Sequence, residues 1–217
     1  MVDKNRVQLD AEDAYNLLRK YSIKLPRGLL LKSKSDISKC NKIGFPATMK
    51  ISSRQVIHKS DVGGVVVGVE NEAQAKEAYN QIIRNVKKKM PKAEIDGVLA
   101  QKMFSGIETI IGMKRDPQFG PVILFGLGGI FVEIMKDVSM QIAPVNKKQA
   151  EEMIHRLKSI ALLKGARGNK PADISRIADL IVKVSVLSMK EDLQEIDFNP
   201  VMVDGNKINV VDVRIIK

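Results

Sequence analysis

Apolar positions along the chain switch between a spacing of three to four residues and short continuous or alternating runs, which predicts helices and strands in alternation. Ala14, Leu17, Leu18 and Tyr21 share one face of a helix predicted over residues 10–21, with Asp10 as its N-cap and Asp13 three positions on. Pro26 and Gly28 break that helix, Arg27 to Lys32 reads as a strand, and residues 35–42 read as a helix ended by Gly44 and Pro46. A strand at 47–52 and the apolar run Val65 to Val69 flank a glycine-containing loop, after which Asn71 caps a helix reaching Lys89.

The second half is richer in sheet. Gly97 to Met103, Glu108 to Lys114 and Val122 to Phe125 read as strands before helical spacing returns over Lys147 to Ser159, where Ala150, Met153, Ile154 and Leu157 form the core face. His155 falls beside that stripe and reads as a surface residue. Gly165 to Pro171 is turn-rich and basic, Lys164 and Arg167 read as loop charges, and a helix follows from Ala172 to Met189.

Composition changes this picture little. With 217 residues, 44% apolar and 28% charged, the chain can bury a sizeable core as one domain or two small ones. It has no apolar run long enough to span a bilayer, and MVDKNRVQLD has neither an apolar signal core nor a cleavage pattern, so the expected address is the cytoplasm, with no membrane partner. A single cysteine, Cys40, excludes an internal disulfide and a cysteine-built zinc site, and reads as structural. The net charge of +11 raises nucleic-acid binding, but the lysines are scattered and Lys87 to Lys89 close a helix, where cations complement the dipole. With 4% aromatic residues and no tryptophan there is little to stack on bases, so no nucleic-acid partner is expected. The basic surface suits anionic nucleotides or an acidic protein partner.

Candidate chemistry concentrates in His58-Lys59-Ser60-Asp61-Val62-Gly63-Gly64. An imidazole can accept a phosphoryl group, glycines let backbone N–H groups approach phosphate, and Lys59 can neutralise charge. The same composition also makes an ordinary turn with a solvated histidine. In the C-terminal segment, Asp204-Gly205-Asn206-Lys207 predicts a tight turn with Gly205 and Asn206 at its centre, which places Asn199 opposite Asp212. A turn centred on Asp204-Gly205 places Asp197 there instead. Either register gathers oxygen-bearing side chains on one face, with the Cβ atoms of the facing pair roughly 4.5–5.5 Å apart, and that donor set favours magnesium. A plain surface hairpin is the competing reading. Gly126-Leu127-Gly128-Gly129 is neither a dinucleotide fingerprint nor a P-loop.

The segments MKISS at 49–53, HKSDVGG at 58–64, GPVILFGLGGIFVE at 120–133 and EIDFNPVMVDGNKINVVD at 195–212, taken in order and with their spacing, resemble the ATP-grasp beta subunit of the ADP-forming acyl-CoA synthetases, typified by acetyl-CoA synthetase (ADP-forming). A more distant similarity links the chain to the beta subunit of succinyl-CoA synthetase. The resemblance covers nearly the whole chain and implies an α+β ATP-grasp fold of two subdomains with nucleotide between them: a smaller one at residues 20–96, a larger one at 97–217 carrying the metal hairpin, and a helix in 1–19 packed on the larger. It implies an acid–thiol ligase subunit, acetate–CoA ligase (ADP-forming), with Mg2+ and ADP/ATP as ligands and a CoA-binding alpha subunit as partner in an α2β2 heterotetramer.

Carried over residue by residue, the resemblance makes His58 the catalytic phosphohistidine. Lys50 would reach nucleotide phosphate, Ser52, Ser53, Gly63 and Gly64 would bind the nucleotide with it, backbone groups of Ala100, Gln101, Lys102 and Met103 would meet adenine, and Glu108 would reach ribose. Asn199 and Asp212 would bind magnesium with Asp197 beside them, Glu195 would be a supporting residue, and Glu133 would lie near the phosphates. The implied mechanism is a relay in which the alpha subunit forms an acyl-phosphate from acyl-CoA and phosphate, its own histidine takes the phosphoryl group, and His58 accepts it next and passes it to Mg-ADP. Two other classes stay open. One is an ATP-grasp carboxylate ligase using an acyl-phosphate without a phosphohistidine, and the other a non-catalytic nucleotide-binding module.

Overall fold

The structure is a computed structural model that describes residues 7–26, 28–56, 58–129, 136–168 and 170–217, with the side chain of Arg167 left aside. Arg27, Asn169, Glu133 and the rest of the 130–133 segment of the third motif lie outside the described residues. The chain divides into two compact units, Pro26–Met103 and Met1–Leu25 with Phe104–Lys217. Among the described residues, strands form one sheet of four and another of six.

The smaller unit has β1 (Gly28–Leu31), a 3-10 helix (Lys34–Lys42), β2 (Ala47–Ser52), β3 (Val65–Val69), α2 (Glu72–Lys89) and β4 (Gly97–Lys102), with sheet order β1-β4-β2-β3. Strand alternation sends Leu31, Met49, Ile51, Val98 and Ala100 into a core against Ala75, Ala78, Ile82 and Val86 of α2. Asn71 caps α2 through Gln74 N–H at 2.9 Å. Residues 34–42 form a 3-10 helix rather than an α-helix. Serine, aspartate and asparagine in this short stretch compete for backbone bonds, and Asp36 Oδ2 accepts the N–H groups of Lys32 and Ser33. The unit's boundaries fall at 26 and 103 instead of 20 and 96, because β4 is central to this sheet, paired with β1 on one side and β2 on the other.

The larger unit begins with α1 (Ala11–Lys20), capped by Asp10, whose carboxylate accepts Asp13 N–H at 2.9 Å. It continues with β5 (Ile107–Asp116), β6 (Gly120–Leu127), β7 (Val138–Ile142), α3 (Lys147–His155), the single turn α4 (Ile160–Leu163), α5 (Ile174–Lys190), β8 (Glu195–Asp204), β9 (Lys207–Val210) and β10 (Val213–Ile216). The sheet runs β10-β8-β5-β6-β7, with β9 also on β8. Ile111, Met113, Ile123, Phe125, Ile196, Phe198 and Ile215 point to one face and join Leu18, Met153, Ile154, Ile181 and Val184 of the helices in the core. Residues between them in sequence therefore occupy the opposite face, where Glu108, Lys114, Glu195, Asp197 and Asn199 lie.

Two further elements, both in the larger unit, depart from the sequence reading. The helix expected to Ser159 stops at His155, because the buried Asp137 accepts Lys158 N–H at 3.0 Å and Ser159 N–H at 2.8 Å. Strand β7 was not anticipated, and its alternation is inverted: Met140 and Ile142 are exposed while Ser139 is buried.

Candidate functional site

His58 is exposed in the loop between β2 and β3. The loop closes on itself, with Gly63 N–H donating to Ser60 O at 2.9 Å and Gly64 N–H to Lys59 O at 2.7 Å. Asn85 Nδ2 donates to Gly63 O at 3.1 Å and ties the turn to α2. Gly63 has φ +67°, and a Cβ on Gly64 would lie 2.7 Å from Ile51 Cγ2 and 2.9 Å from Lys59 O. The paired glycines are therefore needed to fold the turn. Their N–H groups are spent within it, contrary to the expectation that they reach phosphate. Ser53 Oγ accepts Gln55 N–H at 3.3 Å, and Ser52 Oγ lies 3.5 Å from Asp96 Oδ2, so both hydroxyls have local partners.

The face of the smaller sheet turned away from α2 carries three buried polar side chains, Thr48, Lys50 and Gln101. Register sets Lys50 opposite Leu99 and Thr48 opposite Gln101. Ala100 stands opposite Leu29 and Met49 in a strand flanked on both sides, so the backbone groups of Ala100 and Gln101 belong to the ladder rather than to a ligand. Met103 N–H donates to Pro46 O at 3.0 Å, and proline has no N–H to return the bond. The polar atom that stands out is instead a side-chain one: Gln101 Oε1 is buried without a hydrogen-bond partner, and Gln101 is 8% exposed. A buried acceptor left empty costs stability, so it fits a ligand bearing an N–H donor. Sequence reasoning assigned this residue a backbone role and missed its amide.

In the larger unit, Gly128 N–H donates to Glu108 O at 2.7 Å, which connects the glycine-rich turn to Glu108. Gly106, with φ +131°, brings the chain so close to β8 that a Cβ would lie 2.3 Å from Val203 O.

The C-terminal hairpin adopts the first of the two registers considered. Asp204 pairs with Lys207 and Val201 with Val210, and Asn199 N–H donates to Asp212 O at 3.2 Å. A register shift between Thr109 and Ile111 leaves Asn199 and Pro200 together between the core residues Phe198 and Val201. Asp212 Oδ1 accepts Val213 N–H at 3.0 Å. Asp197 faces not Asp212 but Arg214, whose guanidinium contacts Glu195 and lies 3.9 Å from Asp197 Oδ2. Among the described residues no group of three His, Cys, Asp or Glu side chains is arranged to hold a metal ion. Two oxygen-bearing side chains, Asn199 and Asp212, fit a hard cation that takes its other ligands from phosphate and water. Arg214 was not singled out from sequence, although it falls two positions after Asp212, the period that keeps strand residues on one face.

The chain thus comprises two α+β units, one with the buried strand residue Lys50 and the other with Asn199 and Asp212 paired on a hairpin. The ATP-grasp domain family matches residues 1–216, and the chain belongs to that family. The beta subunit of ADP-forming acetate–CoA ligase I from Pyrococcus furiosus is 44% identical over 216 residues, spanning 98% of this chain and 93% of that subunit. The ADP-forming 4-hydroxybutyrate–CoA ligase of Nitrosopumilus maritimus is 45% identical over 217 residues, and this chain spans 31% of its length. Among solved structures, the dinucleotide-forming acetyl-coenzyme A synthetase 1 of Ca. Korarchaeum cryptofilum, in complex with coenzyme A, Ca-AMPCP and HgCl+, superposes with a TM-score of 0.91 at 43% identity, covering 96% of this chain and 93% of that one. Another structure of that synthetase contains Mg-AMPPCP and a phosphohistidine segment pointing towards the nucleotide-binding site. No helix among the described residues is long and apolar enough to cross a membrane.

Proposed function

We propose that this chain is the nucleotide-binding beta subunit of an ADP-forming acyl-CoA synthetase of the acetate–CoA ligase type. It works with a CoA-binding alpha subunit in an α2β2 assembly. The observation that carries this reading is the match over 93% of a separate beta subunit, together with an exposed His58 beside a hydrogen-bonded turn and an Asn199–Asp212 pair on the sheet face away from the helices.

In this reading a neutral His58 imidazole nitrogen attacks the phosphorus of a phosphohistidine carried by the alpha subunit. The new N–P bond forms as the donor's N–P bond breaks. A terminal phosphate oxygen of ADP then attacks the same phosphorus, the His58 N–P bond breaks, ATP leaves and the imidazole is regenerated. Lys50 neutralises phosphate charge, Gln101 Oε1 accepts an N–H from the base, and Glu108 accepts from ribose hydroxyls. Asn199 and Asp212 would hold magnesium, which when bound would supply positive charge to the transferring phosphate. Gly63 and Gly64 shape the turn that presents His58.

The test is incubation of the pure chain, alone and with the alpha subunit, with Mg2+ and ATP labelled at the γ-phosphate. Acid-labile, alkali-stable label mapping to His58 is the expected result. Absence of label from a chain that binds Mg-nucleotide in both conditions overturns the phosphohistidine role and favours a ligase using an acyl-phosphate alone.

A further inference from the structure

The outer face of the larger sheet holds more charge than the nucleotide reading uses. Glu195, Asp197 and Asn199 share that face of β8 because Ile196 and Phe198 between them are buried. Arg214 joins them from β10 because its neighbour Ile215 is buried, and the register sets it directly opposite Asp197. On the other flank β5 brings Lys114 opposite Glu195 and Gly112, without a side chain, opposite Asp197. Asp197 therefore has Arg214 opposite it on one flank and Gly112 on the other, with Asn199 and Asp212 next along the chain on the same face.

Asp197, Asn199 and Asp212 without Arg214 would bring three oxygen-bearing side chains to one patch, enough to begin a resident divalent site. Arg214 reaches Asp197 at 3.9 Å while contacting Glu195, so its fixed positive charge lies between two carboxylates beside the Asn–Asp pair. A guanidinium cannot be neutralised at any ordinary pH, and it opposes a cation arriving alone. Phosphates arriving with the cation remove that opposition, because their negative charge is attracted to the same arginine.

We propose that Arg214 is a positioning residue that keeps Asp197 out of the metal site, so that Asn199 and Asp212 form a half-site admitting a divalent cation only together with nucleotide phosphate. This rests on the nucleotide-binding reading and adds the order and the gatekeeper: metal enters with nucleotide because one carboxylate is held by an arginine.

The experiment measures Mn2+ binding to the full chain by the loss of the free-ion electron paramagnetic resonance signal, without nucleotide and with ADP, for wild type, Arg214→Met, Arg214→Gln and the double variant Arg214→Met with Asp197→Asn. Thermal melts verify folding, and Arg214→Gln, which keeps a hydrogen-bond donor towards Glu195 while removing the charge, serves where the methionine variant does not fold. The expected result is a rise of about ten-fold in nucleotide-free Mn2+ affinity on removing the charge, abolished in the double variant. Unchanged or weaker nucleotide-free Mn2+ binding by a folded charge-removed variant overturns the proposal. The nucleotide reading fails separately, if the wild-type chain shows no ADP binding with Mn2+ or Mg2+, since the nucleotide-free comparison does not depend on it.

Discussion

Gly128 and Glu108 are in such close contact that a methyl carbon at Gly128 would sit 2.9 Å from Glu108 Cβ. The glycine-rich turn is thereby packed directly against Glu108. Gly128→Ala is expected to cost about 1–3 kcal/mol of stability through overpacking. By displacing Glu108 it should also weaken ADP binding about ten-fold, the equivalent of one lost hydrogen bond. Denaturant titration and calorimetric ADP binding measure the two effects, and full ADP affinity in a destabilised variant would detach Glu108 from the nucleotide.

His58 contributes nothing to the core, so His58→Asn is expected to change stability by less than about 0.5 kcal/mol. Turnover with the alpha subunit should nevertheless fall by two or more orders of magnitude, roughly the scale seen when a covalent nucleophile is removed. Retention of near-normal turnover would show that phosphoryl transfer bypasses this side chain.

Asp212→Ala removes one of two proposed magnesium ligands. Losing a group that merely supports a ligand typically costs about 10–100-fold in metal affinity, so losing a ligand should raise the Mg2+ concentration for half-maximal ADP binding by at least about ten-fold. A magnesium titration of ADP binding provides the comparison, and an unmoved midpoint would place the metal elsewhere.

Asp137 gives the larger unit an acid-sensitive point. Burial pushes its carboxyl pKa up, but the Ser159 hydroxyl and the N–H groups of Lys158 and Ser159 outweigh burial and hold it below the usual aspartate value. A depressed folded-state pKa contributes stability that is fully present above the unfolded value, about 3.9, and is lost as pH falls through the folded one. Asp137→Asn should cost about 2 kcal/mol near neutral pH, and the difference from wild type should shrink as pH falls through the depressed folded-state value. Chemical unfolding across pH measures this, and a pH-independent difference would refute the charge-based account.

Much of the fold was legible because local chemistry fixed it. Asp10 and Asn71 announce helix starts through their own side chains, and Gly205-Asn206 sets a hairpin register that follows by counting. What escaped depends on residues far apart in sequence. The end of α3 is imposed by Asp137 from across the fold, and β7 carries its apolar residues outward, so its alternation misleads. At the candidate site, the residue types did not reveal the hydrogen-bond partner of each group. Gly63 and Gly64 spend their N–H groups on a turn, and Gln101 has a buried side-chain oxygen without a hydrogen-bond partner while its backbone lies in the sheet. Arg214 becomes visible only when β10 is laid beside β8.

The two-residue turn at Gly205-Asn206 makes the Asn199–Asp212 pairing a matter of chain length rather than of composition. One residue added there would leave every functional group chemically intact, yet it would slide Asp212 past Asn199 and exchange the outward and inward sides of the returning strand. The hairpin thus works as a ruler. Substitutions along its outer edge alter the site by degrees, whereas a single insertion or deletion at its tip would erase the site at once.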